Sequence, residues 1–203
     1  MIGTFVYPKT NIDLYEDINN VTAKDVKVAN CVTNYLNHMS ILFYLRGNTT
    51  VENCVWTGTT TVNNTPIDPV TGEYIGDPVD DNVAYDCGIP NKCVSNINKC
   101  EIGSMYVWEQ ANVTITNSKI GYIRNAAINL NGWKLAIGEN TVVDQIDSSA
   151  PKSYIPSLHI KSGATVKKLN MNNQSMAGLV IEPGASVNGK TFEEGMDVAD
   201  LFK

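Results

Sequence analysis

Four aromatic residues have the types and spacing to hold a ring-shaped ligand. Tyr106 and Trp108 alternate with Val107, so a strand that turns Val107 toward a core turns both rings outward; Tyr122 and Trp133 are expected on neighbouring turns of the chain. Aromatic faces lying open on a sheet are how proteins stack on sugar rings, with Asn and Gln beside them reading hydroxyls. The competing reading is that other parts of the chain, or a partner domain, cover the rings. A second candidate is Asp77, Asp80 and Asp81, with Asn82 beside them. Carboxylates confined to one loop repel each other, and a hard cation, above all Ca2+, relieves that repulsion. The simpler reading of the same residues, and the one favoured, is a solvated acidic loop, and no other cofactor is expected.

The remaining candidates are thinner. The five cysteines, Cys31, Cys54, Cys87, Cys93 and Cys100, contain no CxxC pair, which argues against zinc. Cys87 and Cys93 flank Gly-Ile-Pro-Asn-Lys and suit either a short-loop disulfide or two free thiols. Cys31, Cys54 and Cys100 share a small-residue position and are expected as packed thiols, although Cys31 and Cys54, if on adjacent coils, would lie within disulfide range. The histidines are His38 and His159, and no GxSxG elbow accompanies them. Arg124, with Glu109 and Glu139, is the one mixed-charge constellation in the regular part of the chain.

The elements that must position these residues are β-strands. The chain has 203 residues, 43% hydrophobic and 18% charged, enough for one domain with a real core and too apolar for disorder. No run approaches the ~18 apolar residues of a membrane span. The net charge of −6 makes nucleic acid a poor partner. Asn, Thr, Val, Ile and Gly are abundant and arginine occurs twice, a usage suited to strands joined by tight turns. Residues 1–20 carry Asp13, Glu16 and Asp17 and lack a basic start before an apolar run, so they are not expected to act as a signal peptide.

An internal repeat organises the strands. Leu135-Ala-Ile137 to Val143, Leu158-His-Ile160 to Val166 and Leu179-Val-Ile181 to Val187 align without gaps. Val113-Thr-Ile115 to Ile120 and Ser95-Asn-Ile97 to Ile102 continue the series upstream. Thr50-Val51-Glu-Asn-Cys54 and Lys27-Val28-Ala-Asn-Cys31 match each other at a spacing of 23. The 46 residues from Thr49 to Ser95 read as two units. A strand, an Asn or Gly corner and a second strand every ~22 residues let each turn of chain return one strand spacing above the last. Val113, Ile115, Leu135, Ile137, Leu158, Ile160, Leu179 and Ile181 then point inward as columns, and His159 points outward.

These units resemble right-handed parallel β-helices of the pectin-lyase-like class, as found in bacterial secreted and surface proteins. The expected fold is therefore all-β: a right-handed parallel β-helix (solenoid) of about 7–8 coils with a short C-terminal capping helix. The expected divisions are an N-terminal cap over 1–20, the β-helix over 21–190 with an acidic excursion at 59–92, and a C-terminal cap over 191–203. The excursion holds six acids against Lys92 alone. The class includes lyases that use bound Ca2+ with a basic residue and hydrolases that use clustered aspartates, but the acids on these coils are scattered. The resemblance thus implies a non-catalytic extracellular or cell-surface module, adhesive or glycan-binding through Tyr106, Trp108, Tyr122 and Trp133. Its partners would be a polysaccharide or surface glycan and other domains of a longer chain, with no nucleic acid. The alternatives are a carbohydrate-active enzyme (polysaccharide lyase or glycoside hydrolase) and a phage tailspike-like virion protein.

Overall fold

A computed structural model describes residues 21–29, 32–35, 40–58, 60–63, 84–128, 134–148, 155–171 and 175–203. Alternating triplets such as Val113-Thr-Ile115 and Leu135-Ala-Ile137 form strands because period-two burial lets one face reach the core while the other meets solvent. The first sheet contains Val21–Lys24, Asn48–Glu52, Val94–Asn98, Asn112–Thr116, Leu135–Ile137, Leu158–Ile160 and Leu179–Ile181, all parallel. The second contains Lys27–Ala29, Val55–Thr57, Glu101–Val107, Lys119–Asn125, Val142–Asp147, Thr165–Asn170 and Ser186–Val187, also parallel. Spatial order equals sequence order in both sheets. The chain therefore visits them alternately, and each pair of visits, one strand in either sheet, is a rung; the described residues make seven.

One residue per rung turns the chain from the first sheet into the second in the left-handed region: Asp25, Asn53, Lys99, Asn117, Asn140, Gly163 and Gly184, with φ between 50° and 90°. Asn and Asp tolerate this conformation and Gly enters it without steric cost, which is why these types recur at the corner. Six of these corner N–H groups bond to the next rung, as Asn117 N does to Glu139 O at 3.0 Å, and that of Gly184, in the last rung, bonds to Phe192 O at 2.8 Å. Side-chain amides add a second line, Asn140 Nδ2 to Asn117 Oδ1 at 3.2 Å and Asn117 Nδ2 to Asn98 Oδ1 at 2.9 Å.

Inside, Ile97, Ile115, Ile137, Ile160 and Ile181 stack in register, as do Val113, Leu135, Leu158 and Leu179, all buried. Burying each such side chain contributes ~1.5–3 kcal/mol. From Asn53 onward, the position after each corner is the expected column of small residues, Cys54, Cys100, Ser118, Thr141, Ala164 and Ala185.

The second sheet bends. In Glu101–Val107, Ile102, Met105 and Val107 face inward, so two successive residues, Gly103 and Ser104, point away from the core. Lys119–Asn125 repeats the pattern around Gly121 and Tyr122. This break in alternation divides each strand into an early and a late limb. The early limb of Glu101–Val107 pairs with Val55–Thr57, whereas its late limb pairs with Ala84–Ile89, which in turn pairs with Ser40–Tyr44. In the first two rungs the strand is cut at the bend and extra chain is inserted there. The two insertions run in parallel at their start, Val32–Tyr35 beside Thr60–Asn63.

That placement corrects the register expected for the first rungs. Val21–Lys24 lies beside Thr49–Glu52, a spacing of 28, and Val28 lies opposite Trp56 rather than in the column of Val51. Val26, not Cys31, precedes Cys54 in its column, since Val55 N bonds to Val26 O. Thr49 and Ser95 are direct neighbours, joined Oγ1 to Oγ at 2.6 Å, so their separation of 46 residues spans one rung and not two. A constant period fails here because the inserted chain varies in length inside the rung. Of the excursion expected at 59–92, residues 84–89 are a strand of the second sheet. Residues 1–20 lie outside the described residues.

At the far end, Lys190–Thr191 turns back antiparallel on Ser186–Val187. The expected C-terminal helix is a 3-10 helix, Val198–Phe202, whose first turn is held by Asp197 accepting Ala199 N at 2.9 Å. Leu201 and Phe192 are buried against the core, and Asn188 Nδ2 ties the tail by donating to Leu201 O at 3.1 Å.

Candidate ligand-binding face

The late limb's outer side collects the chemistry. Register aligns Tyr44, Gly88, Tyr106, Arg124, Asp147 and Asn170 in one outward column. Ser104, Tyr122, Gln145 and Lys168 form the adjacent column at the bend. Gly88 carries no side chain in that row, and the space is filled from both sides. A Cβ there would stand 2.6 Å from Ile41 Cδ1 and 2.8 Å from Trp108 Cζ3.

The rings consequently form a continuous group. Trp108 lies 4.3 Å from Tyr106 and 6.1 Å from Tyr44, centroid to centroid. Tyr85, fully buried, meets Tyr106 edge-on at 5.4 Å and stacks beside Tyr122 at 6.2 Å. The Arg46 guanidinium sits 5.4 Å over the Tyr44 ring, within cation–π range. Both arginines of the chain, Arg46 and Arg124, belong to this face. Tyr106, Trp108 and Tyr122 are half-buried, so they present part of each ring.

Polar groups are held beside the rings. The Tyr122 hydroxyl donates to Asp147 Oδ2 at 2.8 Å, while Gln145 Nε2 and Asn170 Nδ2 donate to Asp147 Oδ1 at 3.1 and 2.5 Å. Partial burial pushes the Asp147 carboxyl up, but these three hydrogen bonds and the charge of Arg124 outweigh it and leave the group below its ordinary value. Asp86 is 1% exposed and accepts Ser104 N at 2.9 Å and Ser104 Oγ at 3.2 Å.

Three of the four aromatics expected from sequence are thus brought together; Trp133 lies outside the described residues, as do Asp77, Asp80 and Asp81. Among the described residues no group of three or more His, Cys, Asp or Glu side chains is placed to hold a metal. The acid that register sets beside Arg124 is Asp147, whereas Glu139 stands at the left-handed corner. Tyr44, Tyr85, Arg46, Gln145, Asn170 and Asp147 were not singled out from sequence. Their signal was the register, which runs correctly in the later rungs and is displaced in the first by the insertions.

Two other expectations resolve away from this face. Cys54, Cys87, Cys93 and Cys100 are buried free thiols, so Cys87 and Cys93 are not bridged. Burial raises the Cys87 thiol, with Asp86 and Cys100 adding to it; burial also raises Cys93, whose Sγ accepts Gly47 N at 3.2 Å. His159 points outward from the first sheet, its Nε2 2.8 Å from Glu182 Oε1. Ser162 N, donating to Glu182 Oε2 at 3.1 Å, and then His159 lower the Glu182 carboxyl. His38 lies outside the described residues. Compared with known proteins, the chain matches no family model, no curated protein and no solved structure.

Proposed function

We propose that the chain is a right-handed parallel β-helix of seven coils whose late-limb outer face binds a glycan without transforming it, as a module of an extracellular or cell-surface protein. The helical reading is supported by identical spatial and sequence order in both sheets and by one left-handed corner per rung. The observation that carries glycan binding is the row of rings from Tyr44 through Trp108 and Tyr106, flanked by the hydrogen-bonding groups of Arg124, Gln145 and Asn170. Aromatic area with adjacent donors and acceptors matches a sugar's apolar ring face and its hydroxyl rim. The non-catalytic reading is supported by the carboxylates: Asp86 and Asp147 stand three rungs apart, roughly 14 Å at ~4.8 Å per rung. Paired carboxylates in glycoside hydrolysis sit ~5–9.5 Å apart.

Affinity electrophoresis through a panel of polysaccharides tests this. Wild type should be retarded by at least one of them; Tyr106→Ala should lose about tenfold in affinity, ~1.4 kcal/mol, while Tyr106→Phe, which keeps the ring, should retain it. No retardation by any polysaccharide, or an alanine variant as well retained as wild type, sinks the reading. Unsaturated products or new reducing ends would instead establish the enzymatic alternative.

A further inference from the structure

Neighbouring rungs are not equally easy to bring together. Between corner residues the spacing is 28 from Asp25 to Asn53, 46 from Asn53 to Lys99, and 18, 23, 23 and 21 through Asn117, Asn140, Gly163 and Gly184. Loop-closure entropy grows with length, so the contact between rungs two and three is the costliest in the stack. A cross-link constrains the unfolded chain most where the loop it closes is longest.

The two rungs flanking that gap carry cysteine in the column after the corner. Cys54 and Cys100 are in register: Glu52 pairs with Asn98 before them, Val55 with Glu101 after them, and Glu101 N bonds to Cys54 O at 2.9 Å. Both are buried, and Cys54 N approaches Cys100 Sγ at 3.5 Å. Cα atoms one strand spacing apart, ~4.8 Å, fall inside the ~4.4–6.8 Å range of disulfides.

Their hydrogen bonds alone do not call for sulfur. Each thiol donates to the carbonyl two residues back, Cys54 to Glu52 O at 3.3 Å and Cys100 to Asn98 O at 3.2 Å. Further along the column Ser118 Oγ does the same to Thr116 O at 2.6 Å, and Thr141 Oγ1 to Glu139 O at 3.4 Å. A hydroxyl satisfies the site in those rungs. What thiols add is the capacity to join.

We propose that Cys54 and Cys100, free thiols in this structure, form a disulfide that staples rung two to rung three across the root of the long insertion. One thiolate attacks a disulfide oxidant such as oxidised glutathione, releasing one thiol and leaving a mixed disulfide. The second thiolate then attacks the protein sulfur and releases the other thiol, so the cysteines lose two electrons and two protons and the oxidant becomes two thiols. Burial, followed by the neighbouring Cys54 sulfur, raises the Cys100 thiol against its hydrogen bonds, which keeps the folded pair slow to react. The bond therefore forms as the chain folds.

Reduced, unfolded protein is refolded in a glutathione redox buffer, and residual thiols are alkylated under denaturing conditions before a non-reducing digest. The expected result is a linked pair of peptides bearing Cys54 and Cys100, with Cys87 and Cys93 alkylated and a Tm several degrees above that of the same protein in excess reductant. Cys54→Ser and Cys100→Ser should each abolish the link and the redox-dependent shift while matching the Tm of the reduced wild type. Full alkylation of both thiols, a bond from either to Cys31, Cys87 or Cys93, or a Cys54–Cys100 bond that fails to raise Tm overturns the proposal.

Discussion

Asp147 shows how one residue organises its neighbourhood. Three side chains donate to it, and the hydroxyl of Tyr122 is one of them, so this carboxylate orients a ring of the candidate face. Hydrogen bonds to charged groups contribute ~1.5–3 kcal/mol each in favourable cases, and Asn at the position keeps one acceptor while turning an NH2 toward donors. Asp147→Asn should accordingly lower stability at neutral pH by about 1–3 kcal/mol. The pH dependence has a defined sign. The folded carboxyl titrates below its ordinary value, so its contribution is fully present above the unfolded pKa of about 3.9 and is lost as pH falls through the lower folded value. Calorimetric scans should show the Tm of wild type converging on that of Asp147→Asn below about pH 4; parallel curves throughout would mean that the carboxylate's charge contributes nothing there.

The recurring corner is the element that makes successive rungs possible, and Lys99 is its exception. Six of the seven corner positions hold Asp, Asn or Gly, whereas Lys99 adopts φ 53° with a side chain that has no special tolerance for it. The left-handed conformation costs an ordinary L-residue roughly 1–2 kcal/mol. Lys99→Gly should therefore stabilise the protein by up to about 1 kcal/mol, and Lys99→Val should destabilise it by more than that, since a β-branched residue fits the region worst. Differential scanning fluorimetry on the pair gives the order; a glycine variant melting below wild type would show that the lysine makes contacts worth more than the backbone strain. Asn117 and Asn140 do more than tolerate the turn, because their amides also link one corner to the next.

At the scale of the whole molecule, strand pairing predicts that the insertions can be removed without losing the stack. Pairing of Ile102 with Trp56 and of Met105 with Cys87 puts Thr57 and Asp86 in the places of Gly103 and Ser104. Ala29 and Leu42 take the same places in the first rung, since Ala29 pairs with Thr57 and Phe43 with Cys87. Joining Ala29 to Leu42 and Thr57 to Asp86 would give both rungs the uninterrupted seven-residue strand of Glu101–Val107. Each halving of a loop also lowers its closure cost by roughly 0.6 kcal/mol. A chain lacking 30–41 and 58–85 should unfold in urea as a single cooperative transition and keep a β-sheet circular dichroism spectrum, while losing glycan retention with Tyr85 and Ile41. A non-cooperative transition would show that the insertions are part of the fold's support.

The columns from Val113 and Ile115 to Leu179 and Ile181 were legible in the sequence alone, down to the register, because there every corner is short and each rung repeats the same local alternation. The small residues after the corner were legible for the same reason, as were the outward directions of Tyr106, Trp108 and His159. The first two rungs were decided only by tertiary structure. Nothing local marks where a strand is cut and resumed, so Val28 and Cys31 matched Val51 and Cys54 by pattern, while sheet pairing set Val21–Lys24 beside Thr49–Glu52. The ring cluster depended on the same pairing: Tyr44 and Tyr85 reach Trp108, Tyr106 and Tyr122 because the chain re-enters the sheet at the bend, and Gly88 leaves room for Trp108 because of what stands beside it one rung away. Alternation specifies which way a side chain points, a property of its own strand; its neighbours across a sheet are set by the length of chain between strands and by the hydrogen bonds that choose the partner.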